Sequence, residues 1–219
     1  MSSAAGVLVP PSGSGSETEL FGGAMAVCLP TGWLDCSDAR PVPDHQEVWL
    51  EEKGGCRSLI IELLQRAEEA RDDEQCAIFH FVDIAEANNA AAQRITYTDA
   101  LPATALRPSL AQAAGPCFAL HGVQILPPEG AAGRLGGAPP AGSAGSVQLE
   151  LALAILRLPR QSTDLLVSIN RGRPLPGGTE AAAQEAAEAQ QLVDAQADAA
   201  LLASIVGSLE VRDWGLFGT

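Results

Sequence analysis

The segment from Val147 to Asn170 constrains this chain more than any other, because two runs of period-two alternation are separated there by a single turn. Val147, Leu149, Leu151, Leu153 and Ile155 fall on one side of the first run, and Gln148, Glu150, Ala152, Ala154 and Leu156 fall on the other. The second side passes from polar to small and apolar, as a covering helix requires. Pro159, Arg160, Gln161 and Ser162 turn the chain into Thr163 to Asn170, where Leu165, Val167 and Ile169 alternate again. The pattern predicts an antiparallel hairpin at the centre of a sheet.

Other segments are read around that hairpin. Met25, Val27 and Leu29 interleave with Ala24, Ala26 and Cys28 as a buried strand, entered through Gly22 and Gly23 and left through a turn at Leu29-Pro30-Thr31-Gly32. Gln46 to Leu50 reads as a strand. After Gly54 and Gly55, the apolar residues Leu59, Ile60, Leu63, Leu64 and Ala67 recur at helical spacing behind Ser58, a candidate N-cap. Cys76 to Val82, rich in Phe, Ile and Val, reads as a strand, and the segment 83–92 as a short helix or a turn. Ile95 and Tyr97 alternate with polar residues. Pro116 to Ile125 reads as a further strand, in which Gly122 marks a bulge. From Glu180 a helix is expected, with Leu192, Ala199, Leu202, Ile205 and Leu209 as its apolar stripe and Trp214, Leu216 and Phe217 tucked back behind it. Residues 1–18 read as a disordered tail without secretory or transit signals. Residues 19–219 read as one domain with Gly/Pro-rich flexible inserts at about 127–146 and 171–178.

The charge is unevenly spread. The chain has a formal net charge of −14, which opposes nucleic-acid and anionic-membrane surfaces and favours a basic protein partner. Between Asp35 and Glu74 stand twelve acids and five bases, half of that net charge in under a fifth of the length. Pro41 and Pro43 stiffen the backbone that carries Asp35, Asp38, Asp44 and Glu47, so these carboxylates lose less entropy on meeting a partner. Trp33 and Trp49 beside them suit either interface anchors or core. Five widely spaced cysteines without a C-x-x-C pair argue for reduced thiols and against a disulfide framework or zinc site. His80 and His121 are expected to be structural. Ser37-Asp38 and Ser162-x-Asp164 have no neighbouring histidine in sequence, and no P-loop occurs, so an enzyme with its own nucleophile, metal or cofactor is not expected.

The words Leu20-Phe-Gly-Gly-Ala24, Leu29-Pro-Thr-Gly-Trp-Leu-Asp35, Ser37-Asp-Ala-Arg-Pro-Val-Pro-Asp-His-Gln-Glu-Val48 and Ser58-Leu-Ile-Ile-Glu-Leu-Leu64 resemble the Ran guanine nucleotide release factor family. Weaker similarity runs through Leu151 to Asn170 and Leu216 to Gly218. The resemblance implies a PsbP-like α+β sandwich, a six-stranded antiparallel sheet between helices. The element pattern independently predicts an α+β protein with an antiparallel sheet of about six strands. It also implies a non-enzymatic, monomeric regulator that binds the GTPase Ran, with or without cofactor proteins, promotes nucleotide release, and works in the nucleus and cytoplasm. The family's Ran-binding acids map onto Asp35, Asp44, Glu47 and Glu62. At Gln65 this chain departs from the family's second helix acid. With Asp38, Trp49 and Gln65 these residues make one expected docking surface, outward-facing and shared between loop and helix. The alternative is a PsbP-like adaptor for another basic protein.

Overall fold

The computed structural model describes residues 15–53, 57–114, 117–127, 145–175 and 181–218. Strands β1 (Gly15–Leu20), β2 (Met25–Pro30), β3 (Trp33–Asp35), β4 (Gln46–Glu51) and β5 (Arg57–Gln65) precede helix α1 (Asp73–Ala87). Strand β6 (Ala92–Leu101), helix α2 (Pro108–Ala114), strands β7 (Cys117–Leu126), β8 (Val147–Leu158) and β9 (Thr163–Pro174), helix α3 (Ala181–Ser208) and the short β10 (Glu210–Val211) follow.

The hairpin expected from Val147 to Asn170 is β8–β9, paired from Val147↔Pro174 to Leu158↔Thr163. It lies inside a seven-stranded antiparallel sheet of order β3-β4-β5-β9-β8-β7-β6. A second sheet of order β1-β2-β10 packs beside α3. The α+β class holds, with seven strands in the main sheet rather than six. The turn at Thr31-Gly32, with Gly32 at φ +89, carries the chain from the small sheet to the edge of the large one.

Both faces of the large sheet are covered. On the first face α1 places Cys76, Ala77 and Phe81 against Leu120, Leu149, Leu151, Leu153, Ile155 and Leu166. On the second face α2, α3 and the small sheet bury Trp49, Leu59, Ile61, Ala152, Ala154, Val167 and Ile169 with Leu202, Ile205 and Val206. Trp214, Leu216 and Phe217 pack against this second cluster, as expected.

Several sequence expectations are overturned. Arg57–Gln65 is a strand, paired with β4 on one side and β9 on the other, because a run with apolar residues on both faces fits a central strand as well as it fits a helix. Cys76–Val82 is the body of α1. Its signal was the N-cap: Asp72 Oδ1 accepts from Gln75 N at 2.8 Å, and Asp73 and Glu74 follow in the first turn. Residues 15–18, placed in the tail by sequence, are strand β1, and residues 171–174, placed in a flexible insert, extend β9. Residues 128–144 and 176–178 of the inserts lie outside the described residues. Leu192 is 62% exposed, so the α3 stripe begins only near Leu202. The bulge lies opposite Gly122, at Thr96 of β6. Gly122 itself is required by packing, since an added Cβ would fall 2.5 Å from the Phe81 ring.

Two buried ionic clusters pin the helices. Asp164 of β9, fully buried, accepts through Oδ2 from Ala67 N at 2.9 Å and Cys76 Sγ at 3.2 Å, and meets His80 Nε2 at 2.9 Å. Arg157 Nε stands 3.5 Å from Asp164 Oδ1, while its terminal nitrogens donate to Ala67 O and Ala70 O. On the other face Asp198 of α3 joins Arg57 at 3.1 Å and Arg171 at 2.6 Å, and Arg173 joins Glu150 at 3.0 Å and also Asp194.

Gly122→Ala is expected to cost about 1–3 kcal/mol of stability through overpacking. Asp164→Ala should cost about 3–5 kcal/mol, because it leaves Arg157 buried without its partner. Urea unfolding of each variant checks both. Burial alone would raise the Asp164 pKa, but hydrogen bonds from His80, the Ala67 amide and Cys76 outweigh it and hold the carboxyl below its ordinary value. The unfolded chain therefore binds this proton more readily. The contribution of Asp164 should be complete above about pH 4 and disappear as the pH falls further, which wild-type and D164N unfolding curves compared across that range would show.

Candidate functional site

The word Arg40 to Val48 forms a loop anchored at both ends. A short helical turn, Cys36–Asp38, starts it, capped by Asp35, whose Oδ1 accepts from Ser37 N at 2.8 Å. Arg40 N and Ala39 N both donate to Cys36 O at 3.0 Å. Burial pushes the Cys36 thiol pKa up against the lowering effect of Arg40. At the far end Gln46 N donates to Pro43 O at 2.8 Å, and Leu63 N donates to His45 O at 2.9 Å, tying the loop to β5. Together with the fixed φ of Pro41 and Pro43, these bonds hold Asp38 and Asp44 exposed on a stiff support.

Behind the loop, on the first face and beyond the end of α1, lies a cleft of about 360 Å³. Arg40, Pro43, His45 and Gln46 form its outer wall, Ile84 of α1 and the capping residue Asn88 the opposite wall, and Glu62, Ser168 and Asn170 its polar floor. Glu62 is only 6% exposed. Gln46 Nε2 donates to Glu62 Oε1 at 2.6 Å, and His45 Nε2 stands 3.5 Å from the same oxygen. Asn170 Nδ2 donates to Ser168 Oγ at 3.1 Å. Such a recess, with a carboxylate at its base, the dipoles of Ser168 and Asn170 beside it and Arg40 in its wall, suits one polar or cationic side chain that hydrogen-bonds to Glu62.

The expected docking surface is rearranged. Asp35, Asp38, Asp44 and Gln65 are exposed, but Glu62 lies on a strand beneath His45 and Gln46 rather than on a helix facing water. Glu47 pairs with Ile61, one register step from the Gln46↔Glu62 pair, so Glu47 and Glu62 point to opposite faces. Gln65, three residues along the same strand, also points away from Glu62, and the shared helical face expected for them does not exist. Trp49 is 3% exposed and belongs to the core, and Trp33 is half-buried with the Arg57 guanidinium over its ring at 5.8 Å. The expected residues are therefore divided between the two faces of the sheet, Glu62 buried beneath the loop on the first and Asp35, Glu47 and Gln65 on the second. Ser168 and Asn170 of the polar floor were missed by sequence reading, although they share the even positions of β9 with Asp164, opposite its apolar odd ones.

Glu47 is half-buried and accepts from the Phe21 amide. Burial raises its carboxyl pKa, the Phe21 N–H lowers it, and Asp35 raises it further, with a net upward shift. Cys76 and His80, one turn apart on α1, meet Asp164 with ligand atoms within 4.8 Å of one another. Asp164 Oδ2 is already engaged there by three partners, and the Arg157 guanidinium supplies the positive charge across 3.5 Å, so the cluster is a buried ionic hub in which Asp164 Oδ1 and Arg157 Nε have no hydrogen-bond partner among the described residues.

Fold and cleft together define the class of small α+β sandwich to which the Ran-interacting Mog1 proteins belong. The family model for the Ran-interacting Mog1 protein matches residues 18–172, which include the whole loop and cleft. The chain is 34% identical over 160 residues to the Ran guanine nucleotide release factors of Bos taurus and Homo sapiens, covering 72% of this chain and 76% of theirs. It is 41% identical over 81 residues to the nuclear import protein mog1 of Schizosaccharomyces pombe, across 37% of this chain and 42% of that one. The crystal structure of the Saccharomyces cerevisiae Ran-binding protein Mog1p superposes with a TM-score of 0.67 at 25% identity, over 94% of this chain and all of that one. The chain belongs to the Mog1 family.

The raised Glu47 pKa means that the folded state binds its proton more readily than the unfolded state does. Its charge therefore disfavours folding above the folded pKa, and the effect vanishes below about pH 4. Glu47→Gln should raise the urea midpoint near pH 7, with the advantage fading as the pH approaches 4; a constant offset across that range would contradict it.

Proposed function

We propose that this protein binds the small GTPase Ran and promotes release of its guanine nucleotide, supporting protein traffic between nucleus and cytoplasm. The observation that carries the reading is the family match across residues 18–172, the part of the chain holding the stiff acidic loop and the Glu62 cleft. Asp38 and Asp44 make the first, exposed contact, and the cleft receives a basic side chain of the GTPase over Glu62. Asp35, Glu47 and Gln65 supply the patch on the other side of the same edge, and buried Trp49 holds β4 in place rather than touching the partner.

Release follows from differential binding. A docking protein accelerates nucleotide loss only if it holds the nucleotide-free form more tightly than the loaded one. Carboxylates accomplish this by engaging lysine or arginine side chains that otherwise hold phosphate oxygens. Nothing in that action needs a nucleophile, a metal or a cofactor of the regulator's own. Gln65 retains an acceptor but no charge, which lowers the Coulombic part of the attraction on its side of the edge.

The test uses the full chain and Ran loaded with a fluorescent guanine nucleotide. The protein should accelerate fluorophore release, and Asp38→Lys with Asp44→Lys should weaken complex formation by about tenfold or more with unchanged thermal unfolding. Release at the spontaneous rate, or an unaffected double variant, would remove the reading or its site respectively.

A further inference from the structure

A second recess lies on the outer side of α1, away from the cleft. Segment 69–72 and the outward face of α1 enclose an open groove of about 860 Å³. Ile78, Phe79 and Val82 form its floor. Phe79 is 40% exposed, one of the few large apolar side chains that the fold leaves in water, and Ile78 and Val82 are half-buried beside it. Glu69, Asp72, Asp83 and Glu86 form its rim, with Arg71 as the sole base among the lining residues.

The electrostatics of the groove are incomplete as they stand. Helix α1 contains four acids and no lysine or arginine. Among the described residues Glu69, Asp83 and Glu86 take part in no ion pair, whereas the acids beneath α3 are all matched to arginines. Asp83 and Glu86 stand at i, i+3, where like charges repel. The rim therefore attracts a cationic partner, and the same field repels anionic lipid and nucleic acid. The floor needs an apolar ridge to cover it. The groove runs along α1 from Gln75 to Glu86, about 16 Å at 1.5 Å per residue, which matches about three turns of a second helix.

We propose that this groove is a docking site for a basic amphipathic helix of a second protein partner. The helix lays an apolar i, i+3, i+4, i+7 ridge over Ile78, Phe79 and Val82 and sets flanking lysines or arginines against Glu69, Asp83 and Glu86. The site is separate from the Ran reading. The Glu62 cleft is lined by Ile84 of α1 and by its C-cap Asn88, on another side of the helix, so both surfaces can be occupied together.

The probe is a synthetic peptide about 18 residues long, built of leucine and lysine at that spacing, with a leucine/glutamate peptide of the same pattern as its control. Fluorescence anisotropy with the full chain should show saturable binding of the lysine peptide and at least about tenfold weaker binding of the glutamate peptide. Asp83→Lys with Glu86→Lys should weaken the lysine peptide by about tenfold or more, and Phe79→Ala by several-fold, at unchanged thermal unfolding. Asp38→Lys with Asp44→Lys changes the net charge equally, and should leave peptide affinity within about twofold while reducing the Ran complex. Absent saturation, equal loss in the two charge-matched variants, or a dimer by sedimentation that Phe79→Ala dissolves would overturn the proposal, the last in favour of a second copy as occupant.

Discussion

The structure depends on a hairpin whose two faces are both apolar. In β8 and β9 nearly every side chain is buried, with the odd positions of β8 from Val147 to Ile155 facing α1 or its neighbours and Ala152 and Ala154 facing α3. An antiparallel sheet often leaves one face to water. Here neither face can be left, so a helical layer is required on each side, and the remaining strands are added outward from the hairpin. Small residues on the second face let α3 approach closely, and the same economy recurs at Gly207, where an added Cβ would meet Ala105 O at 2.9 Å.

Charges inside the sandwich decide where the helices sit. Arg57 and Arg171 are direct cross-strand partners, an arrangement that repels unless an anion lies between them. Asp198 of α3 is that anion, only 3% exposed, and so the middle of the helix is positioned by ion pairs while its last turns are positioned by Leu202, Ile205 and Val206. Asp164 performs the matching service for α1. It gathers the segment before the helix, two residues of the helix and Arg157 around one carboxylate. The cleft and the outer groove both owe their walls to α1, so this buried hub shapes two surfaces that it never touches.

Legibility followed the strength of the periodic signal. The hairpin, the β2 and β7 strands and the C-terminal helix were readable because one spacing fitted and the other failed. Ser58 to Leu64 satisfied both spacings, and single-segment periodicity cannot separate a buried strand from a helix when apolar residues occupy both faces. The consequence for the site was direct. On a helix Glu62 and Gln65 share a face, whereas on β5 they part, and Glu62 comes to lie beneath His45. Cys76–Val82 was misjudged for the opposite reason: Phe, Ile and Val outweighed the Asp72 cap and the Cys76, Ala77, His80, Phe81 stripe that packing uses.

By itself the sequence determined the α+β class, the central hairpin, the family, and the concentration of acids on a proline-stiffened loop, because each is a local property of residue order. Only the tertiary structure decided which of those acids share a surface. Pairing β4 with β5 in register places Gln46 over Glu62 and turns Glu47 to the other face, and no local pattern contains that register. The cleft, the buried hub at Asp164 and the outer groove on α1 arise from contacts between residues far apart in sequence, where the energy of packing overrides the preference of any single segment.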